Sequence, residues 1–293
     1  MPRARANGIE LEYESFGRAG DPPLLLVMGL GAQMILWHDE FCGALAERGF
    51  HVTRFDNRDV GRSTWLDAAG MPDVLGALAA AGAGQPIDAP YRLSDMAGDA
   101  VALLDTLGAG SAHVVGASMG GMIAQTLAIE HPARVRTLTS IMSTTGHPGL
   151  PPARPEAMAL LMTPMPAERA AQIERSVEAS RVIGSPAYPS DPAELRALAE
   201  RAYDRGVNPP GFARQLVAIL ASGSRRAALA GVRAPTLVIH GDADPLVPVE
   251  AGRDTAAAVP GARLLELAGM GHDLPRALWP AVVDAIVEHA GKA

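Results

Sequence analysis

The sequence predicts an α/β fold in which a mostly parallel sheet is covered by helices on both faces. Its 293 residues are 48% hydrophobic and 19% charged, a composition typical of a globular protein. Short apolar runs recur along the chain, and helical patterns separate them. Uninterrupted runs of this kind are typical of strands that are buried on both faces, as parallel strands are. The predicted strands are residues 24–28, 51–55, 113–115, 138–142, 236–239 and 264–267.

The chain is predicted to begin with an antiparallel hairpin. Asn7-Gly8, a dipeptide favoured in two-residue turns, separates residues 3–6 from residues 9–15. The second arm alternates apolar and polar side chains, which indicates a strand with one face in water.

Two helical patterns follow, at residues 93–107 and 119–131, and Gly108 and Pro132 come directly after them. Glycine and proline are the residue types that end helices in this way. Strands and helices therefore alternate, as a doubly wound sheet requires.

The alternation stops at residues 146–230, which contain many prolines and helical patterns but no strand-like run. We expect a helical insertion here that forms a lid over the carboxyl edge of the sheet. The predicted organisation is a core formed by residues 1–145 and 231–293, interrupted by the lid at residues 146–230.

Charge and residue counts exclude several classes of function. The formal net charge is −7, whereas a nucleic-acid-binding protein should present a basic face. Lys292 is the only lysine and Cys42 the only cysteine, which disfavours a lysine nucleophile, an intrachain disulfide and a thiolate metal cluster. The N-terminus lacks the apolar stretch of a signal peptide, and no apolar run is long enough to span a membrane. We therefore expect a cytoplasmic protein that binds neither nucleic acid nor membrane.

The main chemical signal is Gly116-Ala117-Ser118-Met119-Gly120. Small residues around a serine allow a sharp turn from strand to helix that exposes the hydroxyl group, as in a nucleophile elbow. Because the chain contains 31 glycines, the pattern alone is weak, and a Gly/Ser turn without chemistry is the alternative. The predicted strand before Ser118 and the predicted helix after it supply the context that the motif requires.

A serine nucleophile needs a base and an acid, which follow it in the order Ser, Asp or Glu, His in this type of site. His272 follows the strand at residues 264–267, and Asp242 and Asp244 follow the strand at residues 236–239. We favour Asp244, because the following proline restricts its backbone and helps to fix its carboxylate, whereas Asp242 is placed to cap a turn. His240 is the best rival to His272, but a hydrogen bond in the strand-end turn explains it more simply.

The negative charge that develops during attack requires an oxyanion hole. We expect one backbone N–H from Met119, which follows the nucleophile, and one from Leu30 in the glycine-rich loop after the first parallel strand. Glycines that serve only a tight turn would give the same pattern. Residues 55–63 are predicted to brace the neighbouring loops through hydrogen bonds.

Four apolar residues near these loops are candidates for the substrate pocket, although packing in the core would explain each of them as well. The candidate pocket residues are Met34, Trp37, Met142 and Leu246.

The sequence contains no dinucleotide fingerprint and no metal-ligand spacing. The predicted site therefore needs neither a cofactor nor a metal.

These features together resemble the α/β-hydrolase family, and within it the lid-bearing serine esterases similar to aclacinomycin methylesterase. The motifs are Val27-Met28-Gly29, Asp39-Glu40-Phe41, residues 57–63 and residues 115–120. Many relatives have His-Gly where this chain has Met28-Gly29. Relatives with an aspartate nucleophile, such as haloalkane dehalogenases and epoxide hydrolases, are disfavoured because Ser118 occupies that position.

The function expected from residues and resemblance is cofactor-independent hydrolysis of a small carboxylic ester through Ser118, His272 and Asp244. The same triad would serve a lactonase, a thioesterase, a carbon–carbon bond hydrolase or a perhydrolase. A catalytically silent binding protein is the alternative from a different class, since fold does not determine function.

Overall fold

A computed structural model describes residues 1–292 and shows one eight-stranded sheet. The strand order is β1-β2-β4-β3-β5-β6-β7-β8. The first two strands pair antiparallel, β2 pairs antiparallel with β4, and the other neighbours are parallel. The strands are β1 (Arg3–Ala6), β2 (Ile9–Phe16), β3 (Pro23–Val27), β4 (His51–Phe55), β5 (Ala112–Ala117), β6 (Val135–Ile141), β7 (Thr236–Gly241) and β8 (Arg263–Leu267).

Helices lie between the strands, and five of them follow one another between β6 and β7. None of the helices in residues 1–292 combines the length and apolar character needed to cross a membrane. The helices are α1 (Asp39–Glu47), α2 (Val74–Gly82), α3 (Leu93–Thr106), α4 (Met119–Glu130), α5 (Pro155–Met162), α6 (Arg169–Ile183), α7 (Pro192–Arg205), α8 (Pro209–Ser222), α9 (Arg226–Leu229), α10 (Val249–Ala258) and α11 (Trp279–Ala290).

The predicted fold class is confirmed, and β3 shows why its sequence predicted it. Leu25 and Val27 pack into the core on one face of the sheet, where α3 and α4 lie. Leu24 and Leu26 pack into the core on the other face, against residues of α1 and α11. Because side chains alternate between two buried faces, the strand contains no polar position.

Some strand limits differ from the predicted ones. The strand predicted at residues 138–142 begins three residues earlier, at Val135, and ends before Met142, whose φ of 41° is not a strand conformation. The strand predicted at residues 113–115 continues through Gly116 and Ala117 up to Ser118. Pairing with a neighbouring parallel strand extends both elements beyond their apolar residues.

A buried ion pair joins the helices after β6 to the loop after β4. Arg214 in α8 donates to both carboxylate oxygens of Asp59, at 2.6 and 2.8 Å, and both side chains are fully buried. The Asp59 carboxylate also accepts hydrogen bonds from the Tyr91 hydroxyl and the Leu66 N–H. Burial alone would raise the pKa of Asp59, but the hydrogen bonds from Arg214, Leu66 and Tyr91 hold that pKa below its ordinary value.

Replacing Arg214 with methionine is expected to lower the free energy of unfolding by about 3–5 kcal/mol, because the Asp59 carboxylate remains buried without its counter-ion. Urea denaturation measures the loss. The matched control is Arg253→Met, which breaks the half-exposed pair with Glu266 and should cost less than about 1 kcal/mol. Equal losses in the two variants would contradict a special role for the buried pair.

Candidate active site

Ser118 lies in a sharp turn between β5 and α4. Its φ of 55° and ψ of −121° belong to a region that non-glycine residues adopt only under strain. The two glycines of the motif make the turn possible. A methyl group at Gly116 would lie 2.1 Å from the Gly120 carbonyl oxygen, and one at Gly120 would lie 2.0 Å from the Val27 carbonyl oxygen. Larger residues at either position would push the serine away from the strand end.

The side chains of Ser118, His272 and Asp244 form a hydrogen-bonded chain. His272 Nε2 lies 3.0 Å from Ser118 Oγ, and His272 Nδ1 lies 2.7 Å from Asp244 Oδ2. His272 and Asp244 are only 8% and 4% exposed, so water weakens these contacts little. Serine, histidine and carboxylate in this order can activate a hydroxyl group as a nucleophile.

The carboxylate of Asp244 is held on both of its oxygens. Oδ1 accepts the backbone N–H groups of Leu246 and Val247, at 2.9 and 2.8 Å, which leaves Oδ2 for His272. Burial raises the pKa of Asp244, but the charge of His272, contacts with the rings of His240 and His272, and the Val247 N–H outweigh burial and lower it well below its ordinary range. Asp244 is therefore ionised across the neutral pH range.

Asp242, the other candidate acid, is exposed and makes a different contact. Its Oδ1 accepts the Gly269 N–H at 2.6 Å, across to the loop that carries His272. The structure therefore brings Asp244, and not Asp242, into contact with the imidazole.

The glycine-rich loop after β3 borders the serine. A methyl group at Gly29 would lie 3.1 Å from Ser118 Cβ and 3.6 Å from Oγ. The next residue, Leu30, makes no backbone hydrogen bond through its N–H to any residue within 1–292. Met119 is the first residue of α4, and its N–H has no carbonyl partner in the helix. Both N–H groups expected to form an oxyanion hole are thus free of partners in their own elements.

Comparison of the sequence with known proteins identifies the family to which the chain belongs. The sequence profile described as the alpha/beta hydrolase fold matches residues 22–275. The chain belongs to the α/β-hydrolase family. The resemblance predicted from its motifs is therefore confirmed.

Individual proteins match over most of the chain. Rhodomycin D methylesterase of Streptomyces peucetius is 32% identical, over 97% of this chain and 96% of its own. Poly(3-hydroxyalkanoate) depolymerase of Ectopseudomonas oleovorans is 29% identical, over 87% of this chain and 82% of its own. The solved structure of an enol-lactonase from Burkholderia xenovorans LB400 matches with a TM-score of 0.74 at 24% identity, over 99% of this chain and all of its own.

Residues after β4 brace the loop that follows β3, as the sequence predicts for residues 55–63. Asp56 Oδ1 accepts the Met34 N–H at 2.7 Å, and Asn57 Nδ2 donates to the Met28 carbonyl oxygen at 2.9 Å. A further brace comes from α8, where Gln215 Oε1 accepts the Gly31 N–H at 2.8 Å. Gln215 carries no sequence signal, because nothing in a helical pattern indicates a partner 184 residues away.

The loop of His272 is held by the last residue of α6 and by the segment that follows that helix. The His272 N–H donates to the Ile183 carbonyl oxygen at 2.7 Å, and the Gly271 N–H donates to Ser185 Oγ at 2.9 Å. The Ser185 hydroxyl donates to Asp273 in turn. The sequence gives no signal for Ser185 or Asp273 either, because the partners of Ser185 lie 86 and 88 residues away along the chain.

The four candidate pocket residues occupy different surroundings. Met34 and Trp37 are almost fully buried, and the Trp37 ring stacks on Phe41 at a centroid distance of 5.6 Å. Met142 is 7% exposed and follows β6 directly. Leu246 is half-buried in the turn after Asp244.

Across residues 1–292, no group of three or more His, Cys, Asp or Glu side chains is arranged to hold a metal ion.

Proposed function

We propose that the protein is a cofactor-independent serine hydrolase of carboxylic esters, with Ser118 as the nucleophile, His272 as the base and Asp244 as the orienting acid. The observation that carries the proposal is the continuous chain from Ser118 Oγ through both ring nitrogens of His272 to Asp244 Oδ2. Membership of the α/β-hydrolase family supports it.

In the first half of the reaction, Ser118 Oγ attacks the ester carbonyl carbon and His272 Nε2 takes the hydroxyl proton. Asp244 accepts the Nδ1–H of the ring, so Nε2 carries the free electron pair that receives this proton. The same carboxylate stabilises the positive charge of the resulting imidazolium. The N–H groups of Leu30 and Met119 donate to the oxyanion of the tetrahedral intermediate.

When the intermediate collapses, His272 Nε2 gives its proton to the leaving alkoxide, which departs as an alcohol. Water then repeats the sequence on the acyl-enzyme, with His272 again as the base. The products are a carboxylic acid and an alcohol, and Ser118 is regenerated. No electron transfer or additional group is needed at any step.

The substrate class that we propose is a methyl ester of an apolar acid, since the candidate pocket residues Met34, Trp37, Met142 and Leu246 are apolar. The relative from Streptomyces peucetius is named as a methylesterase and matches over almost the full length of both chains.

The test is turnover of a panel of methyl esters, aryl esters, lactones and thioesters with matched acyl groups. We expect kcat/KM to be highest for the methyl or aryl esters, and a clear preference for a lactone or a thioester would contradict the proposal.

We further propose that residues 146–230 form a lid on a core of residues 1–145 and 231–293. Helix α8 supports this, because a methyl group at Gly31 would lie 2.5 Å from the Phe212 ring. The segment after α6 contacts the His272 loop at the same time. These helices thus border two of the loops that surround Ser118, where they can select among substrates.

Replacing Phe212 with alanine is expected to raise kcat/KM for esters of bulky acids relative to esters of small acids by about tenfold, because space opens beside the oxyanion loop. The rate of labelling by a small fluorophosphonate should change less than this ratio. The control is Leu75→Ala, at a side chain that is 71% exposed, which should change neither quantity. Equal effects of Phe212→Ala on all substrates and on labelling would indicate a purely structural role.

A further inference from the structure

His240 is a second histidine at the catalytic acid. It lies near the end of β7, its side chain is fully buried, and its Nε2 is 2.8 Å from the Val247 carbonyl oxygen. The same nitrogen is 3.5 Å from Asp244 Oδ2, the oxygen that faces His272. The sequence alone predicts for His240 only a hydrogen bond within the turn.

The surroundings of the His240 ring determine which nitrogen carries the hydrogen. A carbonyl oxygen can only accept, so Nε2 must donate to Val247. Nδ1 is buried and has no hydrogen-bond partner in the described part of the chain. On that side α10 packs tightly, and a methyl group at Gly252 would lie 2.5 Å from Nδ1. A hydrogen on Nδ1 would be a buried donor without an acceptor, which is costly.

The hydrogen on Nε2 therefore lies between Val247 and the Asp244 carboxylate. At 3.5 Å the contact with Asp244 is electrostatic and weaker than a hydrogen bond, whereas the bond to Val247 is a full one. The Val247 N–H in turn donates to Asp244 Oδ1 at 2.8 Å. His240 thus holds Val247, whose N–H group holds the Asp244 carboxylate. It also places the positive end of its Nε2–H dipole beside Oδ2.

We propose that His240 is a positioning residue that fixes the turn of residues 244–247, so that Asp244 Oδ2 stays aimed at His272 Nδ1. The proposal rests on the proposed function, since it assigns His240 a role through the catalytic acid. Without the ring, the Val247 carbonyl oxygen loses its partner and the carboxylate loses one support, while no contact to the substrate side of Ser118 changes. The effect should therefore fall on kcat and leave KM almost unchanged.

The chain offers a matched control at the other end of β7. His289 is 2% exposed, its Nε2 lies 3.0 Å from the Pro235 carbonyl oxygen, and its Nδ1 also has no partner within residues 1–292. Both histidines are thus buried, with Nε2 on a backbone carbonyl oxygen and Nδ1 without a partner in the described residues, but only His240 adjoins the catalytic acid. Leucine at either position removes the donor and fills the buried space with an apolar side chain.

The experiment compares His240→Leu, His240→Gln and His289→Leu in the full-length protein. We expect His240→Leu to lower kcat and the rate of fluorophosphonate labelling by about 10- to 100-fold, the scale of a displacement of about 1 Å in a catalytic group. His240→Gln, which retains an N–H donor, should recover most of both rates. His289→Leu should lose stability without a comparable loss of either rate.

Wild-type rates in His240→Leu, or equal losses in His289→Leu, would overturn the positioning role. Nitrogen NMR of the wild-type protein gives a readout that does not depend on whether a variant folds. We expect the His240 hydrogen on Nε2, and a hydrogen on Nδ1 alone would overturn the proposal even if ester hydrolysis is established. Absence of turnover for every ester by the wild-type protein would instead count against the proposed function, and the tautomer would still be measured.

Discussion

Replacing Ser118 with alanine is expected to lower kcat for ester hydrolysis by about 10⁶, the scale measured when a serine nucleophile is removed from other enzymes. The reason is chemical, because Ser118 Oγ forms the bond to the acyl group and nothing else on the chain replaces it. The fold should survive, because the change removes only one hydroxyl group. The close backbone packing of the turn depends on Gly116 and Gly120, which are unchanged. Initial rates with the best ester of the panel, together with the melting temperature, test both expectations.

Ser143→Ala is the matched control. The Ser143 hydroxyl donates to the Ser118 carbonyl oxygen at 2.7 Å, so this variant removes a neighbouring hydroxyl group that forms no bond to the substrate. It should retain most of the activity. More than a few per cent of wild-type activity in Ser118→Ala would mean that Ser118 is not the nucleophile.

Replacing Asp244 with asparagine is expected to lower kcat by about 10⁴, the cost of the same change in a serine protease. The amide has no charge to stabilise protonated His272, and its NH₂ group favours the wrong tautomer of the ring. The hydrogen bonds from Leu246 and Val247 to Oδ1 can remain, because the amide oxygen still accepts. We therefore expect the large loss in kcat with little change in the free energy of unfolding.

Asp242→Asn makes the same chemical change two residues away. Its oxygen can still accept the Gly269 N–H, so only a fraction of the activity should be lost. Both variants are measured against one ester in one assay. If Asp242→Asn is the inactive enzyme and Asp244→Asn the active one, the acid is wrongly assigned, although ester hydrolysis by Ser118 would stand.

Much of the fold could be predicted from the sequence because its signals are local. The uninterrupted apolar run of β3 directly reflects burial on both faces. The turn at Ser118 is encoded within five residues, because Gly116 and Gly120 are needed where the backbone packs closest. Parallel strands bring their carboxyl ends to one edge, so the loops bearing Asp244 and His272 could be expected there before any contact was known.

Contacts between remote segments could not be predicted in this way. Arg214 and Gln215 lie in a helical pattern, where a charged or amide side chain normally points to water, yet both are fully buried against the loop after β4. Trp37 could be pocket or core from its sequence, and only its packing against Phe41 shows its surroundings. The second role inferred for His240 depends on a distance of 3.5 Å to a carboxylate, which no pattern of residues specifies.

The most direct test of the central claim is to label the protein with a fluorophosphonate and to locate the adduct by mass spectrometry of its peptides. Only a serine activated by its neighbours reacts readily with such a reagent. We expect one adduct per chain, on Ser118, and loss of ester hydrolysis in proportion to labelling. An adduct on another residue that accounts for the lost activity, or complete labelling of Ser118 with turnover retained, would contradict the assignment of Ser118 as the nucleophile.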